Sequence, residues 1–196
     1  MIESPTVQNK TWYTRQGLWS LFLICALPIH LWTLILAVKD FSWVSERTNA
    51  WDAIGLLSYG MVFAFVESLA VTLAAVLLGF LISRQWEQGR RIALLSTLVL
   101  IAALWAMAGQ LYFLWGISIP GTILGFLAGT GHPVRILYAV GLALVTPTVL
   151  IPAYLVLESD RVFQAVQEFS GRLALLAGLY LLIDAVCLVI LVARNL

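Results

Sequence analysis

Five long apolar runs constrain this chain more than any other feature of its sequence. They cover residues 17–38, 53–83, 92–115, 136–157 and 173–193. A helix rises 1.5 Å per residue, so about 20 apolar residues cross the hydrocarbon core of a bilayer. Lipid offers no hydrogen-bond partners to the backbone. A continuous apolar run therefore crosses it as a helix, in which the backbone N–H and C=O groups bond to each other. We therefore predict an all-α, multi-pass protein of the cell or inner membrane, with five transmembrane helices.

The overall composition agrees with this class. Hydrophobic residues make up 62% of the 196 residues and charged residues 11%, with a mean hydropathy of +0.98. Soluble domains carry roughly 25% charged residues. The net charge is only +1, whereas proteins that bind nucleic acid usually carry a strongly basic surface. We expect a polar tail at 1–16 and one transmembrane domain at 17–196. The expected partners are the lipid bilayer and other membrane proteins, not nucleic acid.

Charge and proline positions predict the topology. Seven Lys and Arg residues flank the runs on the side of the N-terminus, and four flank them on the other side. Because positive charge accumulates on the cytoplasmic side, the N-terminus is predicted inside and the C-terminus outside. Pro147 and Pro152 interrupt the fourth run, so we predict a kink in that helix.

The sequence predicts additional structure in two of the segments that connect the apolar runs. Residues 158–172 place Val162, Val166 and Phe169 on one face, which predicts an inner amphipathic helix with Ser159 as its N-cap. Residues 116–135 are apolar but broken by glycine and proline. The eleven residues 119–129 are too few to span, so an interfacial or re-entrant piece is expected.

Glu67 and Asp184 are the two acids inside the predicted membrane cores. A charged side chain at the bilayer centre costs about 2.5–3.5 kcal/mol on insertion scales. At helical spacing, Glu67 shares a face with mostly small residues, so we expect it to face protein rather than lipid. Either acid would serve as a relay group or as a helix-packing group. Their possible polar company is Tyr59, Gln110 and Tyr180.

The two histidines are weaker candidates. His30 follows Pro28 in the first run, and a lone helix histidine of this kind most often bonds a neighbouring helix. The alternative is a ligand or proton carrier. His132 and Arg135 follow a Gly-Thr-Gly turn and are a candidate site for a lipid head group or another anion. The alternative is an ordinary turn with Arg135 at the interface.

Catalytic motifs are missing from the sequence. It has no HExxH, GxSxG, Walker or paired-cysteine motif, and its two histidines and two cysteines are dispersed. No catalytic residue, metal site or cofactor is therefore assigned, and an enzyme is not favoured. The expected function is a non-enzymatic subunit or assembly component of a larger membrane complex. The alternative is a small proton- or cation-coupled carrier or relay that uses Glu67 and Asp184.

Overall fold

The computed structural model describes residues 12–82, 86–114, 116 and 119–196. Within them lie six helices: α1 (Arg15–Arg47), α2 (Ala50–Gly79), α3 (Gln88–Leu114), α4 (Gly121–Gly129), α5 (Pro133–Glu158) and α6 (Asp160–Asn195). All but α4 are long and apolar enough to cross a membrane. The all-α prediction with five long apolar helices is confirmed. Residues 1–11 of the predicted tail, and 83, 115, 117 and 118 at the ends of predicted segments, lie outside the described residues.

Side-chain caps explain where several helices begin. The Thr14 side chain accepts a hydrogen bond from the backbone N–H of Gly17 at the start of α1. The Asn49 side chain accepts one from the N–H of Asp52 at 2.8 Å at the start of α2, and only two residues separate α2 from the end of α1. Such caps satisfy backbone donors that the first turn leaves unpaired. No glycine or proline follows residue 38 before Thr48, so α1 continues nine residues past its apolar run.

The segment at 158–172 differs from the prediction of a separate amphipathic helix. Ser159 is an N-cap, as expected, and its side chain accepts from the N–H of Val162. The helix that follows then continues without a break through the fifth apolar run, for 36 residues. Continuity is possible because Gly171 is the one glycine near the junction, and no proline interrupts it.

Helix α1 forms the centre of the bundle. Its residues Leu21 to Ala26 are all buried, because α2, α3 and α6 pack around it. A helix that is apolar all round needs neighbours on every side. We call the end of the bundle where α1, α3 and α6 begin the proximal end, and the opposite end the distal end.

Helices α4 and α5 lie at the edge of the described fold. Helix α4 has no buried residue, and α5 has one, Val156, which packs against Ala93 and Leu94 of α3 near the proximal end. Earlier in α5, the Thr148 hydroxyl accepts a hydrogen bond from the Trp105 indole N–H of α3 at 2.9 Å. Pro147 and Pro152 both lie inside α5. The kink of α5 and the inward N-terminus stay predictions.

Arginines tie the helix ends together. At the distal end, Arg194 of α6 donates to Asp52 of α2 at 2.7 Å and to the carbonyl of Trp51. At the proximal end, Arg90 of α3 pairs with Asp160 of α6. These contacts hold α6 against α2 and α3 at its two ends, outside the most apolar part of the bundle.

Candidate functional site

A buried histidine and aspartate meet at the centre of the bundle. The His30 Nε2 atom of α1 lies 2.8 Å from the Asp184 Oδ2 atom of α6. The His30 side chain is fully buried, and the Asp184 side chain is 9% exposed. Polar groups buried this deeply are stable only when they are paired. The expectation that His30 bonds a neighbouring helix is therefore confirmed, and its partner is one of the two predicted acids.

A second hydrogen bond fixes which nitrogen of His30 carries a proton. Its Nδ1 atom lies 2.7 Å from the carbonyl oxygen of Ala26, one turn earlier in α1. A carbonyl only accepts, so Nδ1 must be the donor. The Nε2 atom then faces Asp184 either as a bare acceptor of a carboxyl proton or as the donor of an imidazolium. In both states one proton lies between Nε2 and Oδ2.

The surroundings of the pair come from α6 and α2. The Tyr180 ring, one turn before Asp184, stacks on the His30 ring with centroids 5.8 Å apart. On the other side of Asp184, the Cys187 thiol interacts with the Ser58 hydroxyl of α2. The second Asp184 oxygen, Oδ1, is buried without a hydrogen-bond partner among the described residues. The pair therefore has one satisfied oxygen and one free acceptor.

Glu67 is in a different environment. It lies on the exposed surface of α2, and its carboxylate has no hydrogen bond or ion pair within the described part of the chain. It borders a groove of about 170 Å³ between α1, α2 and α3. The groove is lined by Pro28, Ile29, Trp32, Thr33, Glu67, Ala103, Ala106, Met107 and Gln110. Gln110 is thus brought near Glu67, whereas the hydrogen-bond partner of Asp184 is His30.

The packed face of α2 differs from the one expected around Glu67. Ala64 of the predicted face is buried, but the buried stripe of small residues continues through Ser68 and Ala75, while Glu67 is exposed. Phe63, also on the predicted face, is 66% exposed. Ser68 can be buried because its hydroxyl donates to the Ala64 carbonyl of its own helix at 2.6 Å, whereas an ionised carboxylate cannot donate a hydrogen bond.

The remaining candidates are dispersed. Tyr59 lies near the distal end, where its hydroxyl accepts from Asn195 at 3.1 Å. His132 and Arg135 are exposed at the turn between α4 and α5, and no ion pair joins them to another described residue. Of the predicted polar company, Tyr180 lies beside the buried pair and Gln110 lies in the Glu67 groove.

The link between His30 and Asp184 was not found by sequence reasoning. A usable signal existed, since His30 lies 13 positions after residue 17 and Asp184 lies 11 positions after residue 173. Both helices start at the proximal end, so these counts place the two side chains at similar depth. Which faces meet is a tertiary property that the counts do not contain.

The described residues hold no cluster of three or more His, Cys, Asp and Glu side chains that would bind a metal ion. The surroundings of the two acids support proton sharing with His30 at Asp184 and charge pairing or hydrogen bonding at Glu67. No protein-family model, curated protein or solved structure matches this chain.

Proposed function

We propose that this protein is a non-enzymatic integral membrane subunit, or an assembly component, of a larger membrane complex. The observation that carries the proposal is Glu67, an acid in an apolar helix that is exposed and has no partner in the described chain. Intramembrane acids are costly and are normally paired or turned toward protein. Asp184 meets that requirement inside the chain through His30, and Glu67 meets it through another protein.

The surface around the groove beside Glu67 is suited to contact with a helix of a partner protein. Ala103 and Ala106 of α3 line it, and small residues let helix backbones approach closely in membranes. Glu67 and Gln110 add one carboxylate and one carboxamide to an otherwise mostly apolar surface. A partner helix that presents Lys, Arg or another hydrogen-bond donor at this depth would satisfy the Glu67 carboxylate.

Replacing Glu67 with leucine is expected to weaken this association. A polar contact between membrane helices contributes about 1–2 kcal/mol in model peptides, so the amount of co-purified partner should fall roughly five- to thirtyfold. The measurement is quantitative mass spectrometry of proteins that travel with the tagged chain in mild detergent. Glu168→Leu removes a carboxylate from an exposed proximal position of α6 and should leave the partners unchanged. A wild-type chain that purifies as a lone, monodisperse monomer would contradict the proposal.

A proton relay is the second candidate function, and the His30–Asp184 pair favours it. The shared proton lies in the middle of the bundle, and Asp184 Oδ1 is a free acceptor beside it. A relay requires a group that gains and loses a proton without a change of fold. In this function Asp184 carries the proton, His30 orients and exchanges it, and Glu67 is the second acid on the path.

The relay predicts a loss of flux in two conservative variants. Asp184→Asn and Glu67→Gln keep hydrogen-bonding capacity but cannot release a carboxyl proton, so each should abolish pH-driven proton flux into proteoliposomes. The readout is a pH-sensitive dye trapped inside the vesicles. His132→Gln, at an exposed position away from both acids, is the control. Equal flux in wild type and Asp184→Asn would remove the relay from consideration.

A further inference from the structure

A polar pocket lies at the proximal end of the bundle, separate from both acids. It has a volume of about 380 Å³ between α1, α3 and α6. Three carboxamides line it, from Gln16, Gln88 and Gln167. Ser96 is the deepest of its α3 residues, eight positions after the helix begins, or about 12 Å at 1.5 Å per residue. The pocket therefore extends from the end of the bundle toward its interior.

Two serines in this pocket differ from several other buried or partly buried hydroxyls among the described residues. Ser58, Ser68 and Thr97 donate to carbonyls of their own helices, at 2.6–2.9 Å. Ser96 and Ser170 are 1% and 7% exposed, and neither hydroxyl has a partner among the described residues. A buried polar group without a partner is destabilising, so native structures contain few of them. Both serines line one pocket, and a ligand that hydrogen-bonds to both hydroxyls would satisfy them.

The lining defines the chemistry of that ligand. None of the residues that line the pocket is Lys, Arg, Asp or Glu, so the lining has no charged side chain to pair with a charged ligand. Carboxamides and hydroxyls both donate and accept hydrogen bonds. The volume lies within the range of small-molecule sites. We propose that this pocket binds a neutral polyhydroxyl group, namely a sugar that is either free or the head group of a glycolipid.

Gly171 offers a way to fill the pocket. It lines the pocket, and a Cβ atom built there meets no heavy atom within 4 Å. Gly171→Leu should therefore fold and occupy the space of the ligand. Gly178→Leu is a matched control, because it lies in the same helix, also in open space, and outside the pocket. A Ser96→Ala/Ser170→Ala double variant removes the two hydroxyls without breaking any hydrogen bond within the described protein.

The experiment is native mass spectrometry of the full chain in phosphatidylcholine nanodiscs. The free probe is glucose, and the lipid probes are monoglucosyl and monogalactosyl diacylglycerol. We expect wild type and Gly178→Leu to bind a probe. Gly171→Leu should bind it at least about tenfold more weakly because its side chain occupies the pocket, and the double serine variant should bind it more weakly by roughly tenfold or more because two hydrogen bonds are lost. Binding of glucose identifies a free sugar as the ligand, and binding of the glycolipids alone identifies a head group.

Two results would overturn the proposal. The first is that neither glucose nor either glycolipid binds the wild-type chain above the level of phosphatidylcholine. The second is that Gly171→Leu binds a probe as tightly as Gly178→Leu does. Thermal unfolding of each variant in the same nanodiscs checks that lost binding is not lost folding.

Discussion

Replacement of His30 by leucine should destabilise the folded protein by about 1–3 kcal/mol, the cost of a buried polar group left without its partner. In the wild type, Asp184 Oδ2 is satisfied by His30 at 2.8 Å, while Oδ1 has no partner among the described residues. The variant leaves both oxygens of Asp184 buried and unpaired. The free energy of unfolding, measured by SDS titration in mixed micelles, reports the change.

A double variant distinguishes the effect of leaving the Asp184 carboxyl unpaired from the effect of losing the packing of the His30 side chain. Replacing both members of a buried polar pair with apolar residues is often neutral or stabilising, whereas removing one is costly. His30→Leu/Asp184→Leu should therefore recover most of the stability that His30→Leu loses. Asp52→Leu is the control, because its pair with Arg194 is partly exposed and should contribute about 0–1 kcal/mol. A double variant as unstable as His30→Leu would show that lost packing, not the orphaned carboxyl, causes the change.

Gly79→Ala should destabilise the protein by about 1–3 kcal/mol, the usual cost of overpacking. Gly79 ends α2, and a Cβ atom there would lie 1.7 Å from the Tyr13 hydroxyl oxygen and 2.9 Å from Leu95 Cδ1. That hydroxyl donates to the Val76 carbonyl at 3.1 Å, so its displacement also breaks a hydrogen bond. Thermal unfolding in detergent gives the measurement.

Gly109→Ala is the matched control for the steric effect. Gly109 lies inside α3, and a Cβ atom there meets nothing within 4 Å, so the higher helix propensity of alanine should be neutral or stabilising. In a Tyr13→Ala background, Gly79→Ala should cost less, because the atom that it displaces is gone. If Gly79→Ala destabilised the protein equally in both backgrounds, displacement of Tyr13 would not be the cause.

The sequence was informative where the signal was local. Five apolar runs gave five long helices, and Ser159 caps α6 as expected, because hydropathy and capping depend on residues that are near each other in the chain. It was less informative at segment ends. The amphipathic stretch at 158–172 has a different surface pattern from the span that follows. The helix is nevertheless continuous, because no proline lies between them.

The candidate sites show the same division. Both acids were recognised from their position in apolar runs, but their environments were not. Sequence spacing put Glu67 on the small-residue face, whereas the buried stripe runs through Ala64, Ser68 and Ala75 and leaves Glu67 exposed. Burying an ionised carboxylate without a hydrogen-bond donor is costly, and a serine avoids that cost by donating to a carbonyl of its own helix.

By itself, the sequence determined that this chain forms apolar helices, because lipid leaves the backbone no other partners. It also determined which groups are costly to bury, since that depends on chemistry alone. Only the tertiary structure decided that Asp184 meets His30, that Glu67 stays exposed, and that Ser96 and Ser170 line one pocket. Such pairings depend on the rotation and depth of each helix relative to its neighbours. Rotation and depth are determined by packing between segments that are far apart in the chain.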